Sequence, residues 1–336
     1  MKTRRTVSFS KNATNIFFHI TTKCNLKCLH CYINHEQHGD ITLPIEKIIK
    51  WLSIFKNRAE NANVVFLGGE PTLHPELSIA IKEAKKMGYV SITVDTNGYL
   101  FHDILSKVNP KDVDYFSFSM DGATLNTNDY IRGKGSYNKC LAGIDEAKSK
   151  GFGVSLIYTV SQLNIHELHM MIPIVKKLNI DRFFIQVIGI RGNPAKDKNK
   201  KIQVSKYDWV KNIPSVAEKI AENGIIVTYP KVFLDHDEKF ECAGLVSENY
   251  FIFPNGRVYK CPLCEDLPLH SLQFLNDNLI ETDKINEQDL FALNIPEGCV
   301  MNKIIQPSNL GYDINGIPIY KIACCMLKEE IWTRKI

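Results

Sequence analysis

The sequence predicts an α/β fold: six strand–helix units forming a parallel sheet, open or partly closed into a barrel, followed by a small cysteine-rich α+β domain. Three observations carry this. Strand-like apolar runs and helix-period runs alternate through residues 15–190. Glycines punctuate several of these runs, at Gly68, Gly88 and Gly151. The ten cysteines gather at two places, three within residues 24–31 and six within 242–325, with Cys140 alone between them. Repeated strand–helix units imply parallel strands joined by right-handed crossovers. Such sheets place a functional site at the C-terminal ends of the strands.

The elements follow in order. Residues 15–21 form the first apolar strand. Pro44 behind Thr42 opens a helix in which Ile45, Ile48, Ile49, Leu52 and Phe55 recur at helical spacing. Residues 64–67 are a buried strand running into Gly68-Gly69. Leu77, Ala80, Ile81 and Ala84 mark the next helix, which Gly88 stops. Strands at 90–94, 113–119, 153–160 and 182–188 then alternate with helices at 101–107, 137–150 and 165–178. Residues 192–206 are polar and lysine-rich and read as a solvated linker. A helix over 205–222, bent or split at Pro214, and a strand over 225–229 come next. The predicted organisation is a barrel-like domain over 1–191, a linker with a bridging helix and strand over 192–241, and a cysteine-rich domain over 242–336.

Bulk properties narrow the function. A chain of 336 residues with 44% hydrophobic and 23% charged residues has room for two such units. A formal charge of +4 gives no reason to expect nucleic acid or a membrane surface as partner. Phe17, Phe18 and Ile20 make too short an apolar run for a signal peptide, and no run of about 18 apolar residues occurs. A cytoplasmic location is expected. Thiols are kept reduced there, so the cysteines point to metal or redox chemistry.

Cys24, Cys28 and Cys31 have C-x3-C-x2-C spacing directly behind the first strand. Three thiolates on one short loop suit three corners of a cubane iron–sulfur cluster and leave the fourth iron open. The alternative is a structural zinc site completed by His30 or His35. Leu67-Gly68-Gly69-Glu70-Pro71 then ends the second strand, and Thr96-Asn97-Gly98 follows the third. Ser117-Phe118-Ser119-Met120-Asp121-Gly122 closes the fourth, and Arg132-Gly133-Lys134-Gly135-Ser136-Tyr137 opens a later helix.

In this order the segments resemble the radical SAM superfamily. The resemblance implies an incomplete (β/α)6 barrel with a [4Fe–4S] cluster on Cys24, Cys28 and Cys31. It implies S-adenosylmethionine (SAM) at the open iron, cleaved reductively to a 5′-deoxyadenosyl radical that abstracts a substrate hydrogen. An electron donor such as flavodoxin or ferredoxin is implied as well. In this reading Gly68 and Gly69 let the backbone approach the methionyl part of SAM, and Glu70 accepts from nearby donors or from the SAM ammonium. Asn97 and Ser119 reach the ribose, Arg132 clamps the SAM carboxylate, and Tyr32 stacks near the adenine. Taken singly, Asn97-Gly98 is a turn signal and Arg132 a surface residue. His19 and His74 read as satisfied histidines of the wall or loops, and Cys140 as a buried thiol on a helix.

The second cysteine group opens with Cys242, thirteen residues, Gly256, four residues, Cys261. Pro254-Asn255-Gly256 is a hairpin signal that brings Cys242 and Cys261 towards one another. This part resembles the SPASM and twitch auxiliary-cluster domains of radical SAM enzymes, without the C-x2-C-x5-C-x3-C run of a full SPASM domain. The resemblance implies one auxiliary [4Fe–4S] cluster on Cys242, Cys261, Cys299 and either Cys324 or Cys325. Cys264 is an alternative ligand, or a hydrogen donor to a substrate radical. A zinc knot is the competing reading.

Three enzyme readings follow. The first is an oxidoreductase whose auxiliary cluster accepts an electron from a substrate radical, acting on a sugar, an aminocyclitol or another small molecule. The second is a maturase that forms a thioether, a carbon–carbon crosslink or an epimer in a ribosomal peptide; the short stretch ahead of the first strand holds no leader-binding domain and speaks against it. The third, a molybdenum-cofactor cyclase, is set aside because the Gly-Gly tail and the C-x2-C-x13-C spacing of that family are missing. A zinc-binding protein without catalysis explains the cysteines but not the barrel motifs.

Overall fold

The computed structural model describes residues 2–7, 13–196 and 202–333. Its strands are β1 (Lys2–Val7), β2 (Thr14–Thr21), β3 (Ala62–Gly68), β4 (Ser91–Thr96), β5 (Tyr115–Ser119), β6 (Val154–Val160), β7 (Arg182–Val187) and β8 (Ile226–Pro230). They continue with β9 (Phe233–Leu234), β10 (Glu248–Ile252), β11 (Arg257–Tyr259), β12 (Leu272–Leu275), β13 (Asn278–Glu281), β14 (Lys321–Ile322) and β15 (Lys328–Thr333).

β2 through β8 pair in sequence order, every neighbour parallel. The six expected strands are present, and β8 adds a seventh from the segment read as a bridge. On the other side β10 pairs parallel with β2 and leads into the antiparallel run β10-β11-β12-β13. β15 returns antiparallel to β8, and β1 lies antiparallel on β15. The sheet thus runs through the stretches assigned to the linker and to the second domain.

Burial alternates along the strands, as one dry and one polar face require. Val64, Phe66, Ile92, Val94, Phe116 and Phe118 pack into the main core under the helices. Those helices span Ile45–Arg58, Leu77–Lys86, Ser136–Ser149, Met171–Leu178 and Lys206–Ala221. The alternate residues, among them Asp95 and Ser117, face the inside of the curved sheet. Aromatic pairs fix the C-terminal strands to this barrel: Trp51 stacks on Phe274 at 4.0 Å, and Phe17 on Phe251 at 4.5 Å.

Several expectations need correction. The helix Lys206–Ala221 is continuous through Pro214. Its face of Ile213, Val216, Ala217 and Ile220 is buried, which holds the helix across the missing N–H. Asn212 Nδ2 and Ser215 Oγ donate to the carbonyls of Asp208 and Asn212 on either side. The lysine-rich stretch is not solvated throughout: Ile202, Gln203 and Val204 are buried, and residues 197–201 lie outside the described residues. The helices expected at 101–107 and 165–178 begin as 3-10 turns, Phe101–Asp103 and Ile165–Met170. A further helix, Leu125–Arg132, is capped by the Thr124 side chain accepting from Thr127 N–H, so Arg132 ends this added helix and the segment behind it opens the expected one at Ser136.

Candidate active site

The loop after β2 carries Cys24, Cys28 and Cys31 over the C-terminal edge of the sheet. Its first residues are clamped by the glycine motif at the end of β3. Gly69 N–H donates to Thr21 O at 2.9 Å, and Glu70 N–H to Lys23 O at 2.9 Å. A Cβ on Gly68 would lie 2.4 Å from Thr21 O, and one on Gly69 2.3 Å from Lys23 O. The close approach that these glycines permit is therefore to the chain leading into Cys24.

Glu70 is buried, and its carboxylate is surrounded by protein donors. Oε1 accepts from Thr72 N–H at 3.1 Å, Thr72 Oγ1 at 2.6 Å and Thr96 Oγ1 at 2.9 Å. Oε2 accepts from Asn97 N–H at 2.7 Å. Asn97 Nδ2 in turn donates to Asn25 Oδ1 at 2.8 Å and lies 3.8 Å from Cys24 Sγ. Glu70 and Asn97 thus link the ends of β3 and β4 to the cysteine loop.

Cys28 Sγ lies 3.7 Å from Arg132 O, and Leu29 N–H donates to Ile131 O. The Arg132 guanidinium is paired with buried Asp121, which His30 Nε2 also approaches at 3.2 Å. Burial acts to raise the Asp121 carboxyl, but His30 and Arg132 hold it well below the usual carboxylate range. Arg132 Nε is buried with no partner among the described residues. His35 pairs with Asp40 at 2.7 Å. Ser119 ends β5 with its carbonyl accepting from the buried Cys140 thiol at 3.6 Å. Desolvation raises the Cys28 and Cys31 thiols and pushes Cys24 up to about 12. Arg132 at Cys28, and Arg132 with Arg191 at Cys31, offset this burial only in part.

Tyr32 has protein partners at its hydroxyl and on its ring. Its hydroxyl lies 2.7 Å from His19 Nε2, and the Arg191 guanidinium covers its ring at 4.6 Å. His19 Nδ1 meets Ile252 O at 3.0 Å, and burial pushes the imidazole down to about 3, so it stays neutral. His74 is buried and donates to Leu43 O at 2.7 Å. Both histidines are satisfied within the fold.

The hairpin of β10 and β11 turns at Gly256, where φ is +88°. It places Cys261 in one cavity with Cys242, Cys299, Cys324 and Cys325. Cys264 is fully buried behind Cys261 and does not line this cavity. Beneath it, Glu287 accepts from Lys260 N–H at 2.6 Å, Cys261 N–H at 3.0 Å and Ser271 Oγ at 2.7 Å. Burial and neighbouring thiols raise Cys242, to about 11, and Cys299. The Cys325 thiol and the N–H groups of Ala243, Met326 and Leu327 push Cys324 down to about 7. Among the described residues no group of three or more His, Cys, Asp or Glu converges on a single metal ion.

Arg191, which the sequence reading passed over, lies between the two cysteine groups. It acts electrostatically on Cys31 on one side and Cys325 on the other. It pairs with buried Glu265 and donates to Pro262 O. Its place just past the end of β7 is the signal that could have found it.

The family model for the radical SAM superfamily matches residues 18–173. Residues 18–173 are a radical SAM domain. A probable GTP 3′,8-cyclase of Saccharolobus islandicus is 25% identical over 82% of this chain and 91% of its own. A native anSMEcpe structure with AdoMet bound superposes with a TM-score of 0.66 at 15% identity, over 92% of this chain and 93% of that one. SuiB of Streptococcus suis with S-adenosylmethionine bound gives a TM-score of 0.63 at 14% identity over 88% of this chain. Two SuiB structures are covered over 62% and 74% of their own lengths. The radical SAM fold expected of the barrel is therefore present, and with it the use of a [4Fe–4S] cluster and SAM.

Proposed function

We propose that this radical SAM enzyme is a cytoplasmic oxidoreductase with two [4Fe–4S] clusters, acting on a sugar, an aminocyclitol or another small molecule. Cys24, Cys28 and Cys31 hold the first. Cys242, Cys261, Cys299 and Cys324 hold the second. The observation that carries this reading is the shared cavity of the second cysteine group, set beside the barrel mouth with Arg191 between it and Cys31.

The donor sets suit these groups. Three thiols on one loop leave one iron open for SAM, and four thiols around a cavity close a cubane. When bound, the first cluster supplies the electron that cleaves SAM, and the second takes up an electron from the substrate. The chain's own residues do the positioning. Glu70 and Asn97 fix the Cys24 loop, and the Asp121–Arg132 pair backs Cys28. Glu287 holds the backbone at Cys261, and the N–H groups around Cys324 favour its thiolate. Arg191, paired with Glu265, places a fixed positive charge between the two thiolate groups.

The test is anaerobic reconstitution with iron and sulfide, with iron counted per chain. A Cys242→Ala/Cys261→Ala variant is expected to lose about half the iron and keep reductive SAM cleavage. Full iron retention in that variant removes the second cluster and the electron-acceptor role.

A further inference from the structure

The inside of the barrel carries a lysine and an aspartate on separate strands. Asp95 on β4 stands level with Ser117 on β5. Lys328 enters from β15, the last strand, whose register sets it against Pro230 of β8. Its ammonium lies 6.0 Å from the Phe184 ring centroid, on β7. The Lys328 ammonium feels Cys325 first and Asp95 second, yet among the described residues it forms no ion pair with a carboxylate within 4.0 Å. Among the described residues Lys328 has no hydrogen-bonding partner. The other cations of this region are engaged, Arg191 by Glu265 and Arg132 by Asp121.

Both side chains are partly open to solvent, so a ligand entering from the inside of the sheet can reach them. Within the barrel, the protein leaves a cation on one wall and an acceptor on another, with an aromatic ring beside the cation. We infer that Lys328 and Asp95 form a substrate site for a small hydroxylated anion. The Lys328 ammonium takes its carboxylate or phosphate, and Asp95 accepts from its hydroxyl. Phe184 covers the carbon skeleton. This deepens the oxidoreductase reading and rests on it for the position of the chamber beside the SAM site.

Reconstituted, SAM-loaded enzyme is titrated by calorimetry at low salt with glycerate, glycerol 3-phosphate, propionate and glycerol. The wild type is expected to bind glycerate or glycerol 3-phosphate, and the stronger of the two identifies the anionic group. Glycerol is expected to show no binding. Lys328→Met, which keeps the stem length, is expected to weaken the anion at least tenfold, and Lys328→Arg to restore part of it. Asp95→Asn is expected to erase the preference for glycerate over propionate. No anion binding by the wild type, or equal binding by Lys328→Met, overturns the inference. Deoxyadenosine formation is followed on the same wild-type sample. Its absence overturns the functional reading alone, since anion binding is read without turnover.

Discussion

Glu70 Oε2 accepts the backbone N–H of Asn97 at 2.7 Å, and Asn97 carries that contact on to Asn25 and Cys24. The acidic residue of the glycine motif is thus a strut between strand ends. Glu70→Gln turns one acceptor oxygen into an NH2 facing buried donors. The expected loss is about 1–3 kcal/mol of stability, read by denaturant unfolding. Iron from the first cluster is expected to be lost faster to a chelator in this variant.

The adjacent Cys324 and Cys325 have different surroundings. Cys324 is buried among N–H donors from Ala243, Met326 and Leu327. Cys325 is the one that acts on Arg191 and Lys328. Cys324→Ala is expected to lose about four irons per chain, while Cys325→Ala keeps them. The reverse pattern would reassign the fourth ligand.

Arg191 and Glu265 form a buried pair beside Tyr32. Burial pushes the Glu265 carboxyl up to about 7, against the pull of Arg191. Arg191→Met leaves that carboxylate unpaired, at a cost of about 3–5 kcal/mol. Arg191→Met/Glu265→Gln is expected to recover at least about 1 kcal/mol of this. A double-mutant cycle by chemical denaturation measures it.

His38 stacks on Phe253 at 3.6 Å and donates to Glu265 O at 2.8 Å. Burial pushes its pKa down to about 4 from an ordinary 6.5. The folded chain therefore binds fewer protons here than the unfolded one between these values. Stability from this group is present above about pH 6.5 and falls as pH drops towards 4, by about 1 kcal/mol per pH unit. Unfolding at pH 7 and 5.5 is expected to show a smaller loss in His38→Phe than in the wild type.

The parallel strands and the cysteine spacings were legible because each is a local pattern: a burial period, a glycine stop, a fixed interval between thiols. The pairing of β1 with β15 was not, since Arg4–Glu329 and Arg5–Glu330 contacts join opposite ends of the chain. The packing of Gly68 and Gly69 against the Thr21 and Lys23 backbone was not legible either, since it is a tertiary contact between two strand ends. Asp121 pairs with Arg132 and Arg191 lies over the Tyr32 ring, and such partners far away in sequence leave no periodic trace. Pro214 read as a break because propensity is local, while the buried face that carries the helix past it is tertiary.

The most direct test is the iron count of reconstituted enzyme, wild type against Cys24→Ala/Cys28→Ala/Cys31→Ala, with 5′-deoxyadenosine followed after dithionite and SAM are added. About eight irons in the wild type, about four in the variant, and deoxyadenosine from the wild type alone is the predicted result. Zinc in place of iron, with no deoxyadenosine from either, would contradict it.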